Sequence, residues 1–222
     1  RTSTEGKRQE GISFLLIDLD TPGIEMRPIR LIEGGREVNE VFFDGVRVPA
    51  EHLVGAENQG WTIAKYLLNH ERTNIAGVGF SIAAFERVRD MAREAGPDGK
   101  RAVDDPLFAA RLADVEMELE ALKITNLRML DRAQKTGQPG PESSMLKIKG
   151  TVVRQALNDL ARRLMGPAAA VFPSADISDN SGLLPPDRAG FAGEYFNNRK
   201  ISIYGGSNEI QRNILAKTVL GL

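Results

Sequence analysis

The spacing of hydrophobic residues changes near residue 55. Before it, short apolar stretches alternate with turn signals. Residues 11–20 (GISFLLIDLD) read as a strand, and Thr21, Pro22 and Gly23 as a turn. Residues 24–32 read as a second strand, with Pro28 making it an edge or bulged one because proline donates nothing to a ladder. Gly34 and Gly35 turn the chain into a third strand over 37–48, where Val41 and Phe43 belong to an apolar cluster. Three antiparallel strands need another layer to cover a face, so the pattern predicts an incomplete sheet.

After residue 55 the period is helical. One long helix is predicted over 58–95, closed by Gly96 and Pro97, with a stripe through Trp61, Ala64, Leu68, Ile75, Val78, Ile82 and Phe85. Asp104, Asp105 and Pro106 open a second helix in the manner of a cap followed by an early proline. Its face runs through Phe108, Leu112, Val115, Leu119, Leu122 and Met129 to Thr136, and Gly137 stops it. A third helix covers 141–165 and ends at Gly166 and Pro167. An irregular stretch over 168–186 precedes a short helix over 188–198, and Ser207 caps a last helix that ends between Leu220 and Gly221. The expectation is a mainly α protein: a partial antiparallel β domain over 1–55, then a four-helix-bundle domain over 56–222.

Charge and composition narrow the chemistry. Lys and Arg total 29 against 30 Asp and Glu, a net charge of -1, which gives no broad attraction for nucleic acid. Without cysteine there is no disulfide, thiolate nucleophile or zinc–thiolate site, and 2 histidines leave little for a metal cluster, so no metal site is expected. No apolar run is long enough to span a bilayer, and a cytoplasmic location is expected. A start at Arg1 rather than Met is read as a sign that the sequence is a piece of a longer polypeptide.

Two places offer reactive groups. Glu71 has Leu67, Leu68 and Ile75 about one helical turn away and Val78 about two. A carboxylate buried on such a stripe is costly as a charge, and its pKa should rise toward the range of a general base. The competing reading pairs it with Arg72 or Lys65 at the edge of the stripe. The second place is IYGGSNEIQR at 203–212, where two glycines precede a serine that opens a helix. Backbone N–H groups at such a junction can hold an anion or a carbonyl oxygen; the competing reading is a plain turn. The tetrad Asn69, His70, Glu71 and Arg72 also reads as a solvated face, His52 as a locally bonded side chain, and Trp61 as packing.

The stretch VFFDGVRVPAEHLVG at 41–55, followed by Glu57, Gly60 and Trp61, resembles the strand-to-helix signature of the acyl-CoA dehydrogenases. The stretch IYGGSNEIQRNILAK at 203–217 resembles that family's closing motif, usually Ile-Tyr-Glu-Gly-Thr followed by Ile-Gln-Arg. The resemblance covers nearly the whole chain and corresponds to the later part of the middle β domain plus the C-terminal helical domain. It implies oxidation of an acyl-CoA at Cα–Cβ, with a Glu removing the α-proton and hydride passing to N5 of FAD. Gly205 stands where many members carry that Glu. Isovaleryl-CoA and long-chain types carry it in the long helix directly before an Arg, which matches Glu71 and Arg72.

The same resemblance implies substrate contacts for Arg72, for Asn69 at the CoA end, and for the Gly205 N–H at the thioester carbonyl. It implies FAD contacts for Ser207 and Glu209 from a neighbouring subunit. Asp105 falls where an Arg would grip the FAD pyrophosphate, and the glycine-rich stretch expected at 164–170 is degraded. Both departures suit a subunit of a heteromeric bacterial dehydrogenase, of which the pimeloyl-CoA dehydrogenase large subunit is the nearest kind. The implied partners are an acyl-CoA from fatty acid metabolism, an electron-transfer flavoprotein or similar acceptor, and further subunits in a homo- or heterotetramer. The alternatives are a non-catalytic subunit of a heteromeric dehydrogenase and a helical assembly module.

Overall fold

The computed structural model describes residues 1–222 except 72, 73, 75, 97, 138, 139 and 171–189; for 69 and 70 it describes the backbone alone. The chain divides into two units, Arg1–Glu71 and Arg72–Leu222. The first helix therefore groups with the strands.

In the first unit, β1 (Phe14–Leu15) pairs with β4 (Leu53–Val54), and β2 (Ile24–Ile29) pairs with β3 (Val38–Phe43), both antiparallel. The three strands expected of one sheet are thus split between two ladders. The sequence pattern missed β4, since two apolar residues carry no period. Pro28 lies opposite Asn39 in a two-stranded ribbon, where a missing N–H donor is tolerated. Val41 and Phe43 remain largely exposed rather than forming a core, and the Arg27 guanidinium lies 4.5 Å from the centre of the Phe42 ring across the ladder.

Helix α1 (Gly60–Glu71) is anchored at its start, where the Gly60 N–H donates to Ile12 O at 2.6 Å. Beside it the Asn58 N–H donates to Ser13 Oγ at 2.8 Å, and Thr2 Oγ1 donates to Asn58 Oδ1 at 2.7 Å. Trp61, expected as packing, is 41% exposed, and Leu67 and Leu68 are about half exposed. The stripe along this helix is not buried by the chain described here.

The helix predicted over 58–95 proves to be two helices, one in each unit. α1 ends at Glu71, and α2 (Val78–Arg93) starts after Gly77, which is left-handed at φ 55 and turns its N–H back to Asn74 O at 3.1 Å. Ile75 and Val78 kept the helical spacing across the break, so periodicity alone could not reveal it.

α3 (Pro106–Thr136) begins as expected: Asp105 accepts from the Leu107 N–H at 3.0 Å, Pro106 takes the first turn and Gly137 ends it. Asp105→Ala is expected to lower the unfolding free energy by about 1 kcal/mol, read by thermal denaturation, with Asp105→Ser retaining most of it.

α4 (Glu142–Met165) is the central helix. Leu146, Val153, Leu157, Leu160 and Met165 pack with Phe85, Val88 and Ala92 of α2 and Phe108, Leu112, Leu119, Leu122 and Met129 of α3. Each fully buried side chain of this size contributes about 1.5–3 kcal/mol. Gly150 lies against the turn before α2: a Cβ there would sit 2.4 Å from Ala76 O and 2.9 Å from Ala76 Cα.

α5 (Phe191–Asn197) lies within the short helix expected at 188–198, of which 188 and 189 are outside the described residues, as is 171–186 of the irregular stretch. Arg87 fastens α5 to α2, pairing with Glu194 at 2.8 Å and covering the Phe191 ring at 4.4 Å. Asn198 Nδ2 donates to the buried Asn158 Oδ1 at 2.8 Å, and Gln155 Nε2 donates to Asn198 O at 3.0 Å. These bonds pin the turn Asn198–Ser202 onto α4 and deliver the chain to α6 (Asn208–Leu215), which continues in a π-helical turn over Ala216–Leu220. The fold is mainly α: small antiparallel ladders, then a bundle in which α2, α3 and α6 all pack on α4. Among the described residues no helix is long and apolar enough to cross a membrane.

Candidate functional site

The amino end of α6 is built from its sequence outward. Gly205 and Gly206 are both left-handed, with φ 66 and 84, which glycine adopts without steric cost. Gln211 Nε2 donates to both of their carbonyl oxygens at 3.3 Å, locking the pair against the first turns of the helix. Ser207 is the cap expected from sequence, its Oγ accepting from the Ile210 N–H at 3.4 Å. The arrangement presents donors: hydroxyl and backbone N–H groups at the positive end of a helix.

Glu209, in the first turn, is largely exposed and lies 3.6 Å from Arg212. Its carboxyl group is held below the usual range first by its own backbone N–H and then by the Ser207 hydroxyl; burial opposes, and Arg212 and Lys147 assist. Gly205, Ser207 and Glu209 are thus brought together on one loop-to-helix junction.

Beneath that junction lies a polar cluster the sequence reading did not single out. Lys147 of α4 is 1% exposed, and its Nζ donates to Asn208 Oδ1 at 3.1 Å. Asn208 Nδ2 donates to Thr151 Oγ1 at 3.1 Å, and the threonine hydroxyl donates to Ile148 O at 2.8 Å. Burial pushes the Lys147 ammonium below the usual lysine range, while the Glu209 carboxylate pulls it back up. One signal for this cluster was legible: Asn208 and Gln211 are three residues apart, on one face of the helix, with Ser143, Ser144 and Thr151 at helical spacing around Lys147.

Glu71 is the last residue of α1 and is exposed, which corrects the expectation of a carboxylate sunk in an apolar stripe. The reason is that α1 ends at Glu71 and Val78 opens a separate helix, so Val78 is not two turns further along the same one. Asn69 lies in α1 with only its backbone described, and Arg72 is outside the described residues.

A surface cleft of about 880 Å³ opens where α3 begins, lined by Lys100, Arg101, Asp104, Asp105, Arg111 and Arg163 among others. Arg101 is paired with Asp104 at 2.7 Å, Arg163 with Asp159 at 2.6 Å, and Asp105 caps α3. Two of its four cations are thus paired, and Glu94, Asp98, Asp104 and Asp105 bring the lining carboxylates to the same number as the cations. Among the described residues no group of three or more His, Asp or Glu could hold a metal ion.

Residues 58–220 match the family described as acyl-CoA dehydrogenase, C-terminal domain. Acyl-CoA dehydrogenase IpdE1 of Mycolicibacterium smegmatis is 35% identical over 100% of this chain and 52% of its own length. Among solved structures, the Tcur3481–Tcur3483 steroid ACAD superposes with a TM-score of 0.83 at 26% identity, covering 100% of this chain and 55% of that one. The ChsE4–ChsE5 complex of Mycobacterium tuberculosis gives 0.79 at 28% identity, covering 99% and 55%. The chain spans about half the length of these relatives.

Proposed function

Because the chain belongs to the acyl-CoA dehydrogenase family, we propose that it forms part of an enzyme that introduces a double bond between Cα and Cβ of an acyl-CoA thioester. The observation that carries the reading is the amino end of α6, where Gln211 holds two left-handed glycines ahead of a capped helix. A neutral carbonyl oxygen needs donors of this kind. The Gly205 N–H polarises the thioester carbonyl and stabilises the enolate-like charge that forms as the α-proton leaves. Glu71 takes that proton, since Gly205 offers no side chain to do so. Arg72 and Asn69 hold the acyl-CoA.

The junction at α6 suits the polar groups of FAD, because it combines the amino end of a helix with an exposed Glu209 carboxylate that accepts from hydroxyl or N–H groups; FAD, when bound, supplies the acceptor for the β-hydride. Ser207 and Glu209 would hold it. The match over 58–220 supports a helical domain at 56–222 that follows the end of a middle β domain. Asp105 is committed to capping α3 and its cleft carries matched charges, which supports a flavin site completed by a partner subunit. The two-protein names of the structural relatives support a heteromeric assembly, for which a tetramer is the proposed form, and the word steroid in one of them supports a bulky cyclic acyl group. An electron-transfer flavoprotein would reoxidise the assembly. A cytoplasmic location goes with this chemistry.

The full-length protein with its partner subunit is expected to purify yellow and to bleach anaerobically with a cyclic acyl-CoA. Residues 1–222 alone are expected to lose FAD on gel filtration. An assembly that binds FAD but bleaches with no acyl-CoA would favour the non-catalytic subunit. A stoichiometric flavin complex of residues 1–222 alone would remove the need for a partner.

A further inference from the structure

Lys147 is the largest fully buried side chain among the described residues, and the reaction outlined above does not use it. Two positions on, Lys149 reaches the surface and pairs with Glu118 at 2.6 Å, so burial singles out one lysine of the two. A methionine would fill the same space without desolvating a charge, and such replacements of buried ionic groups are often neutral or stabilising. A buried ammonium can instead specify geometry. It carries only donors, so it dictates that Asn208 presents Oδ1 to Lys147 and Nδ2 to Thr151. Asn208 opens α6, and Gln211, one turn later and also buried, grips the carbonyls of Gly205 and Gly206. An unbroken run of bonded side chains and one helical turn joins Lys147 to the glycine pair.

We propose that Lys147 is a positioning residue for the acyl-thioester site: acting through Asn208, it fixes the amino end of α6 so that the Gly205 N–H is held for the thioester carbonyl. This rests on the functional reading above. Losing the link lets the Asn208 amide turn and the glycine pair drift. Small misplacements of a polarising donor are costly to rate and cheap to binding, because most CoA contacts lie elsewhere on the ligand. kcat should therefore fall while KM holds.

The experiment uses the full-length protein with FAD and its partner subunit. The variants are Lys147→Met, Asn208→Asp, which keeps an oxygen toward the ammonium, and Val153→Ala, which weakens the α4 core without touching Asn208. The first readout is amide hydrogen exchange without substrate. Lys147→Met should speed exchange over residues 205–211 about tenfold while leaving α2 and α3 protected. The second is loss of deuterium from Cα of cyclohexane-1-carbonyl-CoA and octanoyl-CoA, which should slow about 10- to 100-fold with KM within a few fold. Asn208→Asp should retain most of both, and Val153→Ala should leave both unchanged below its melting temperature. If Lys147→Met does not fold, Asn208→Ala breaks the same link from the other side. Lys147→Met behaving like Val153→Ala would overturn the proposal, as would loosened exchange with normal deuterium loss. Glu71→Gln, run alongside, separates the two ideas: if it too loses deuterium normally, the functional reading fails, and the exchange data still decide whether Lys147 orders α6.

Discussion

Replacing Glu71 by Gln in the full-length protein is expected to slow anaerobic single-turnover flavin reduction by about 10²–10⁴-fold, with acyl-CoA binding largely retained. Gln keeps the size and much of the hydrogen-bonding shape of Glu but accepts no proton. No second carboxylate stands ready at the closing motif, because residue 205 is glycine. Glu209 is a poor substitute: its carboxylate is engaged by its own N–H and by the Ser207 hydroxyl. The companion is Gly205→Glu in the Glu71→Gln background, which puts a carboxylate where most of the family carries one. With φ at 66 the new side chain meets strain of about 1 kcal/mol, so partial recovery is expected rather than full. Bleaching of Glu71→Gln within a few fold of the parent rate would remove Glu71 from the mechanism.

Gly150→Ala should cost about 1–3 kcal/mol in a urea or thermal unfolding experiment, an unusually large effect for one added methyl. The methyl would meet the carbonyl oxygen of Ala76 at 2.4 Å and its carbonyl carbon at 3.0 Å. These are backbone atoms, so trimming the neighbour cannot make room. Ala76→Gly is accordingly expected not to rescue Gly150→Ala, whereas a clash with the Ala76 methyl would be relieved by it. Rescue by Ala76→Gly would show that the turn yields to the added methyl without resisting it. The site matters because the turn at Ala76 and Gly77 is further tied down by Arg154, which donates to Gly77 O at 3.1 Å and Ser81 Oγ at 3.2 Å.

The bundle was the most legible part of the chain. Phe108, Leu112, Leu119, Leu122 and Met129 recur at helical spacing and are all buried, because a long helix lying on a core has to show its stripe. Asp105, Pro106, Gly137 and Ser207 announced their helix ends for the same local reasons that they work as caps. What failed was inference across an interruption. The Gly77 N–H closes a turn on Asn74 O ahead of α2, while the apolar residues on either side stay in phase along the sequence, so Glu71 was placed on a stripe although α1 ends at it. Strand pairing was likewise hidden, since β4 is two residues long and its partner is fixed by chain reversal rather than by pattern. The glycine junction of the candidate site was visible as a motif. Its support was legible only in part: Ser143, Ser144 and Thr151 stand at helical spacing around Lys147, but a lysine flanked by Leu146 and Ile148 gives no sign of whether it reaches water.

The last helix is seated largely on polar side chains. Its two buried side chains are Asn208 and Gln211, while Ile214 and Leu215 are half-buried and Ile210 is half exposed. A segment whose buried side chains are amides and whose apolar ones are only half-buried releases less apolar surface when it lifts away than α4 would. Its detachment should therefore carry a small denaturant slope and a small heat-capacity change, unlike the melting of α2, α3 and α4. The carboxyl-terminal segment can open as a separate, weakly denaturant-sensitive unit at temperatures where the rest of the bundle is intact. The glycine pair proposed to serve the thioester then sits just before a helix whose buried side chains are both amides.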